Sequence, residues 1–333
     1  MIKLKEKYGT DMKIGNTELR HALMLAPMAG FSDHAMRRVC KDNGAEYSVT
    51  EMVSAKAVVY GDKKTAALAR IAKDEGAVGL QIFGSEPSVM AEAAGVLSSP
   101  IEGGVAPIAI DINMGCPVPK IYGNGEGSAL MKNPSLIYDI VRAVKCATIL
   151  PVSVKMRLGV DAAHINATEC ALAAEEAGAA FIALHGRTRV QMYAGKADVS
   201  EIAKVKECLH IPLIANGDVA SAADALYTLR ESGADGLMIG RGAIGNPFVF
   251  AEIAAALDGV VYAEPNTAQR ADTALLQLRL AIEEKGEGVA VREARKQIAL
   301  YFRSFRGAAE LRRRINTATT YSEVAEAFVM AID

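Results

Sequence analysis

The sequence predicts a parallel (β/α)8 TIM barrel followed by a small C-terminal all-helical domain. Three observations predict it. Eight short apolar runs recur between about Met24 and Leu257, an amphipathic helical stretch follows each, and beyond Val261 only helical patterns remain.

The runs are Leu23–Met28, Tyr47–Glu51, Val78–Phe83, Ile108–Asn113, Val152–Arg157, Phe181–His185, Leu213–Asn216 and Gly236–Gly240. They are rich in Val, Ile and Leu and do not alternate with polar residues, as expected of strands covered on both faces. The helical stretches are Asp33–Asn43, Lys63–Ala72, Pro87–Leu97, Pro134–Ala147, Ala167–Ala177, Asp198–Cys208, Ala222–Ser232 and Pro247–Leu257. Start and stop signals frame several of them: Ser32, Asn133-Pro134, Gly178, Ser221 and Gly233. Eight βα units in series suit a closed barrel. An open doubly wound sheet is the alternative, and it rarely needs so many regular repeats.

Residues 1–260 are thus expected to form a catalytic barrel and residues 261–333 a helical domain, joined near Glu264-Pro265-Asn266. The helices expected after the joint are Thr267–Lys285, Val289–Phe305, Ala308–Thr317 and Ser322–Ile332, packed as a bundle. Half of the 333 residues are hydrophobic, which is ample for a core, and the net charge is −2. Any polyanion must therefore meet a local patch. One such patch lies between Val289 and Arg314. It carries Arg292, Arg295, Lys296, Arg303, Arg306, Arg312, Arg313 and Arg314 against Glu293 and Glu310. The five cysteines form no C-x-x-C, so neither a disulfide framework nor a metal site is expected, and a reducing compartment is the default. The charged N-terminus, Met-Ile-Lys-Leu-Lys-Glu-Lys-Tyr-Gly, has no leader-like apolar run, and no segment reaches membrane-spanning length. A soluble, cytoplasmic, monomeric protein is expected.

A barrel of this kind carries its chemistry at the C-terminal ends of its strands. Those ends are here polar and Gly-rich. The seventh and eighth runs end in Asn216-Gly217-Asp218 and Gly240-Arg241-Gly242. Loops in those places commonly cradle a phosphate through backbone N–H groups, and Arg241 would add a charged contact; tight turns alone are the competing explanation. Lys155 and Arg157 alternate on one strand and so share a face, which implies an anionic or electron-rich ligand at the mouth. Cys116, in Asn-Met-Gly-Cys-Pro, is presented by a tight loop, in an acid or nucleophile role. Cys40, Cys146, Cys170 and Cys208 fall in helical patterns and are expected as small buried hydrophobes.

In order and spacing, Leu25-Ala26-Pro27-Met28-Ala29-Gly30, Gln81-Ile82-Phe83-Gly84, Asp111-Ile112-Asn113-Met114-Gly115-Cys116-Pro117, Lys155-Met156-Arg157, His185-Gly186-Arg187-Thr188, Asn216-Gly217-Asp218 and Met238-Ile239-Gly240-Arg241-Gly242 resemble the motifs of tRNA-dihydrouridine synthases. Gly127-Ser128-Ala129-Leu130 and the tail Gly307–Arg313 place the resemblance nearest the bacterial synthase B type. It departs at Gln297, Leu300 and Val160, where histidine, an aromatic and tryptophan are frequent. The resemblance implies FMN as cofactor, NADPH as reductant and tRNA as substrate. Pro27, Met28, Gln81, Lys155 and His185 would line the flavin ring, Asn216, Gly217, Gly240 and Arg241 would hold its phosphate, and Ala26 and Asp218 would also bind the cofactor. Asn113 and Arg157 would meet the uracil, with Arg187 also on the substrate side. Arg295, Arg312 and Arg313 would meet tRNA phosphates. Hydride would pass to C6 of the uridine and Cys116 would protonate C5.

Two other readings stay open. An FMN barrel acting on a small molecule would share the flavin site without needing the Arg-rich helices. A non-enzymatic RNA-binding protein on a retired barrel would not need Cys116, Lys155 and His185.

Overall fold

The structure is a computed structural model and describes residues 12–101, 103–303 and 307–332. The charged N-terminal stretch, Arg306 and the far end of the helix expected over Val289–Phe305 lie outside the described residues.

An antiparallel hairpin, β1 (Met12–Ile14) and β2 (Thr17–Leu19), comes first. The barrel follows as β3 (Leu23–Leu25), β4 (Tyr47–Val49) with a short continuation β5 (Val53–Ser54), β6 (Val78–Phe83), β7 (Ala109–Met114), β8 (Val152–Arg157), β9 (Phe181–His185), β10 (Leu213–Asn216) and β11 (Gly236–Ile239). Every pairing between these strands is parallel, and β11 returns to pair with β3, closing the ring. All eight expected runs become strands. The second is split, because the chain breaks at Thr50–Met52 before β5 rejoins β6 beside Ile82 and Phe83. Thr50 repairs the gap, its Oγ1 accepting from the Gln81 N–H at 3.0 Å.

The expected outer helices form, within a residue or three of their ends. Asn133 caps the helix Pro134–Ala147, and Ser221 caps Ala222–Ser232, which ends on left-handed Gly233. Asp33, not Ser32, caps the first helix, His34–Asp42. Ser32 Oγ instead accepts from the Met28 N–H at 2.8 Å, pinning the loop after β3. Two helices had no sequence signal strong enough to be expected, Ala55–Val59 and Pro119–Gly123, nor had the 3-10 turn Gly127–Lys132.

Successive strand residues point to opposite faces. Leu23 and Leu25 therefore pack outward against the helices, while Met24 and Ala26 point into the barrel. The lower interior is filled by Met24, Tyr47, Phe181, Ile214 and Met238, and Met12, Ile14 and Leu19 of the hairpin complete the same cluster. The Tyr47 and Phe181 rings meet edge to face at 6.1 Å.

The C-terminal helices are Thr267–Lys285, Glu287–Ile298, Ala308–Thr317 and Tyr321–Ile332, with a 3-10 turn at Ala299–Phe302. Leu278, Val291, Phe302, Leu311 and Phe328 form their core, and Ala35 and Phe248 from the barrel's outer helices join it. Lys285 Nζ donates to Asp33 Oδ2 at 2.6 Å across this seam. The loop after β11 touches the same helices at Gly245, whose φ is +68° and whose added Cβ would stand 2.4 Å from Leu300 Cβ.

Gly245→Ala should therefore strain the backbone and push the helices off the barrel rim. We expect a loss of about 2 kcal/mol, read as a lower urea midpoint.

Candidate active site

The strand ends open into a cavity of about 1340 Å³. Every residue expected to bind the cofactor lines it: Ala26, Pro27, Met28, Gln81, Lys155, His185, Asn216, Gly217, Asp218, Gly240 and Arg241. Cys116, Asn113 and Arg157 line it too. The far wall belongs to the C-terminal region, through Tyr262, Arg270, Tyr301 and Arg303.

Strand periodicity explains the inner wall. Asn113, Lys155, Arg157, His185 and Asn216 lie on the inward face of their strands, above the apolar plug. Lys155 Nζ donates to Asn216 Oδ1 at 2.8 Å, and Asn216 Nδ2 donates to the Met238 carbonyl at 2.6 Å. Burial, reinforced by neighbouring Arg157, lowers the Lys155 pKa to about 8, so it keeps most of its charge at neutral pH. His185 behaves differently. Burial, then the cations Lys155, Arg157, Arg187 and Arg241, hold it down to about 2, so its imidazole is neutral. An Arg187 guanidinium nitrogen lies 3.4 Å from His185 Nε2. A guanidinium only donates, so Nε2 is the accepting nitrogen and the proton sits on Nδ1.

Cys116 follows β7 on a loop fixed from several sides. Its N–H donates to Asn113 Oδ1 at 2.9 Å, and its carbonyl accepts from Ser128 Oγ at 2.8 Å. Arg157 Nε donates to the Gly115 carbonyl at 2.8 Å, and one terminal nitrogen donates to the carbonyls of Thr188 and Met192. The arginine charge is thus spent on carbonyl oxygens. Burial pushes the Cys116 thiol up, outweighing the opposing Val118 N–H and Arg157, so the sulfur stays protonated at neutral pH.

Gly217 has φ +134°, and a Cβ there would lie 2.6 Å from Ala197 Cβ. The next residue, Asp218, has φ +53°. Its carboxylate accepts from Arg187 at 2.7 Å, from the Ala197 N–H at 2.8 Å and from Arg241 at 3.2 Å. Burial would raise its pKa, but these partners outweigh it and hold the carboxyl below its ordinary value. Among the described residues, the backbone N–H groups of Gly217, Gly240 and Gly242 donate to no protein acceptor. They line the cavity with Arg241, a donor set suited to an anion.

Four residues expected on the substrate side do not line this cavity. Arg187 is 1% exposed and donates to the carbonyls of Ala194 and Gly195 and to Asp218, so it braces the loop after β9. Arg295 donates to the Ala318 carbonyl at 2.6 Å. Arg313 is exposed and paired with Glu310, and Arg312 is half-buried on the same helix. Two cysteines also need correction. Cys40 and Cys170 are buried, but Cys146 and Cys208 are exposed. Cys146 lies two residues past Val144, the last inward position of its helix, and Cys208 ends a helix whose inward residues are Ile202 and Val205.

Sequence reading missed Tyr193 and Met192, which line the cavity, with Arg241 over the Tyr193 ring at 4.8 Å. Nothing in their loop sequence marks them. Asp111 was also missed, although an acid inside an apolar run is a signal in itself. Among the described residues no cluster could hold a metal ion, and no helix is long and apolar enough to cross a membrane.

The fold and site define an enzyme of the (β/α)8 class, with a half-buried thiol and a rim of donors suited to an anion sharing one mouth. Residues 24–332 match the family model described as dihydrouridine synthase. The "Probable tRNA-dihydrouridine synthase" of Rickettsia conorii is 40% identical over 307 residues, covering 92% of this chain and 91% of the relative. The "tRNA-dihydrouridine synthase B" of Vibrio cholerae is 39% identical over 317 residues, covering 95% and 97%. That of Shewanella oneidensis is 40% identical over 291 residues, covering 87% and 89%. A morphinone reductase variant solved with tetrahydroNAD shares the fold, with a TM-score of 0.54 at 13% identity over 78% of this chain and 92% of that one. The chain belongs to the dihydrouridine synthase family.

A histidine held neutral in the fold makes stability depend on pH. Below its ordinary pKa of 6.5 only the unfolded chain binds the proton, so stability falls as pH drops, until the folded value near 2 is reached. The loss is about 1.4 kcal/mol per pH unit. Lys155 adds nothing in that window, since its folded value of about 8 and its ordinary value both lie above it. Urea unfolding at pH 6.5 and 5.0 should show His185→Gln losing less stability than the wild type over the interval.

Proposed function

We propose that this enzyme reduces a uridine of tRNA to 5,6-dihydrouridine, with FMN as its cofactor and NADPH as reductant. The observation that carries the reading is the shared cavity. A protonated thiol at Cys116, a charged lysine at Lys155 and the glycine loops at 217 and 240 face one space large enough for a flavin and a pyrimidine.

The residues suit FMN. The free N–H groups of Gly217 and Gly240, with Arg241, fit its phosphate. Ala26, Pro27 and Met28 offer an apolar wall, and Gln81, Lys155, His185 and Asn216 offer the polar one. When bound and reduced, FMN supplies the hydride for C6 of the uracil. Lys155 is a donor that keeps its charge, suited to an electron-rich ring edge. Neutral His185 adds a hydrogen-bonding nitrogen without further charge. Cys116 holds its proton at Sγ until C5 of the substrate takes it. Asn113 and Arg157, beside the thiol, orient the uracil, which has to leave its stack to enter. Asp218 and Arg187 hold the rim in shape rather than touching the RNA.

The second wall of the cavity supports RNA over a small molecule. Arg270 and Arg303 bring cations from the C-terminal region to the mouth, and Arg295, Arg312 and Arg313 of the same region are proposed as further phosphate contacts. The division into a catalytic barrel over residues 1–260 and an RNA-binding region over 261–333 belongs to this proposal, as do a cytoplasmic location and a monomeric state.

Cys116→Ala should purify yellow and oxidise NADPH within about three-fold of wild type, yet form dihydrouridine at least about 10²-fold more slowly. Nucleoside mass spectrometry of tRNA after reaction checks this, and full activity of the variant sinks the acid assignment. Arg303→Ala and Arg312→Ala should each lower the salt slope of tRNA binding by about one.

A further inference from the structure

Asp111 has no part in the chemistry above, yet it is fully buried in the barrel. It precedes Asn113 by two residues on β7 and so shares its inward face. Both carboxylate oxygens are engaged. Ser153 Oγ donates to one at 2.6 Å, and Gln81 Nε2 donates to the other at 2.6 Å. Gln81 Oε1 accepts from Asn113 Nδ2 at 2.8 Å. Asn113 Oδ1 accepts the backbone N–H groups of Cys116 at 2.9 Å and Gly115 at 3.2 Å. The chain of bonds runs from the interior of the barrel to the loop that carries the thiol.

Its direction is dictated from both ends. A carboxylate accepts, a backbone N–H donates, and a primary amide does one at each side of nearly the same shape. With Asp111 below and two N–H groups above, Gln81 and Asn113 each have one orientation that satisfies every partner. Turning either amide over would set donor against donor or oxygen against oxygen in a buried site, where unmade bonds are most costly.

We propose that Asp111 is a positioning residue for Cys116, acting through the paired amides of Gln81 and Asn113 to set the loop that presents the thiol. The functional meaning rests on Cys116 being the proton donor. Burial raises the Asp111 carboxyl above its ordinary range, against the opposing hydrogen bonds of Gln81 and Ser153 and the charge of Lys155.

A polarity swap tests it. In Asn113→Asp, residue 113 can still accept from the loop, but two carboxyls then compete for the one donating end of Gln81. In Asp111→Asn the relay survives, because the new amide keeps its oxygen on Gln81 and turns its nitrogen to the Ser153 hydroxyl. In the double variant, Asn at 111 donates to Gln81 Oε1, Gln81 Nε2 donates to Asp at 113, and the relay is complete in reverse.

Two readouts use the flavin-loaded enzyme: tRNA-driven flavin reoxidation, and site-resolved alkylation of Cys116 by iodoacetamide with exposed Cys146 and Cys208 as internal controls. Asn113→Asp should slow reoxidation at least about 30-fold and change Cys116 alkylation at least about five-fold. Asp111→Asn should stay within about three-fold of wild type in both. The double variant should regain at least about ten-fold of the lost rate and bring alkylation back to within about two-fold. Flavin reduction by NADPH should stay within about three-fold throughout. Because Asn113 also faces the uracil, the alkylation arm decides: a double variant whose Cys116 alkylation is no nearer wild type than that of Asn113→Asp, or an Asp111→Asn variant equally damaged, overturns the proposal. If Asn113→Asp does not fold, a folded double variant supports the relay and an unfolded one counts against it. A wild-type enzyme inert on tRNA would defeat the functional reading, while the alkylation arm would still decide the relay.

Discussion

A strand inside a closed parallel barrel has only two directions for its side chains, and one of them is the barrel interior. That constraint governs this molecule. The same alternation that sends Met24, Tyr47, Phe181 and Ile214 into the lower plug sends Asn113, Lys155, His185 and Asn216 to the mouth. Between these zones the interior is neither apolar nor open, and its polar groups must satisfy one another. Gln81, Asp111 and Ser153 do so at 2.6 Å contacts. The active site thus rests on a polar layer, which rests on an apolar plug.

Charge sets what the mouth can do. Lys155, Arg157, Arg187 and Arg241 outnumber the nearby carboxylates, and Asp218 is shared between two of the arginines. Burial, reinforced by this crowding, keeps His185 neutral, and the crowding favours an anionic guest over a cation. It does not make the thiol a thiolate, because burial outweighs the pull of Arg157, whose donors go to the carbonyls of Gly115, Thr188 and Met192.

The barrel was legible because eight apolar runs each end in polar or glycine residues, a conjunction that core strands alone do not produce. The strand ends therefore pointed to the cavity wall residue by residue. What was not legible follows from long-range contacts. Arg187 sits in a motif that suggests binding, and only the fold shows carbonyls of residues 194 and 195 wrapped around it. Cys146 and Cys208 sit in helical patterns, but their facing depends on one or two residues of phase. The hairpin did have a signal, the turn-forming Gly15-Asn16 between Met12-Lys13-Ile14 and Thr17-Glu18-Leu19, though strands of three residues leave little periodicity to find.

The hairpin at the foot of the barrel has a further implication. With Met12, Ile14 and Leu19 stoppering that end among the described residues, the cavity opens on the side where the C-terminal helices stand. Two bulky visitors cannot occupy one doorway together. Under the proposed function, reductant and nucleic acid would take turns there, each departing before the other arrives, with electrons held in the enzyme between visits.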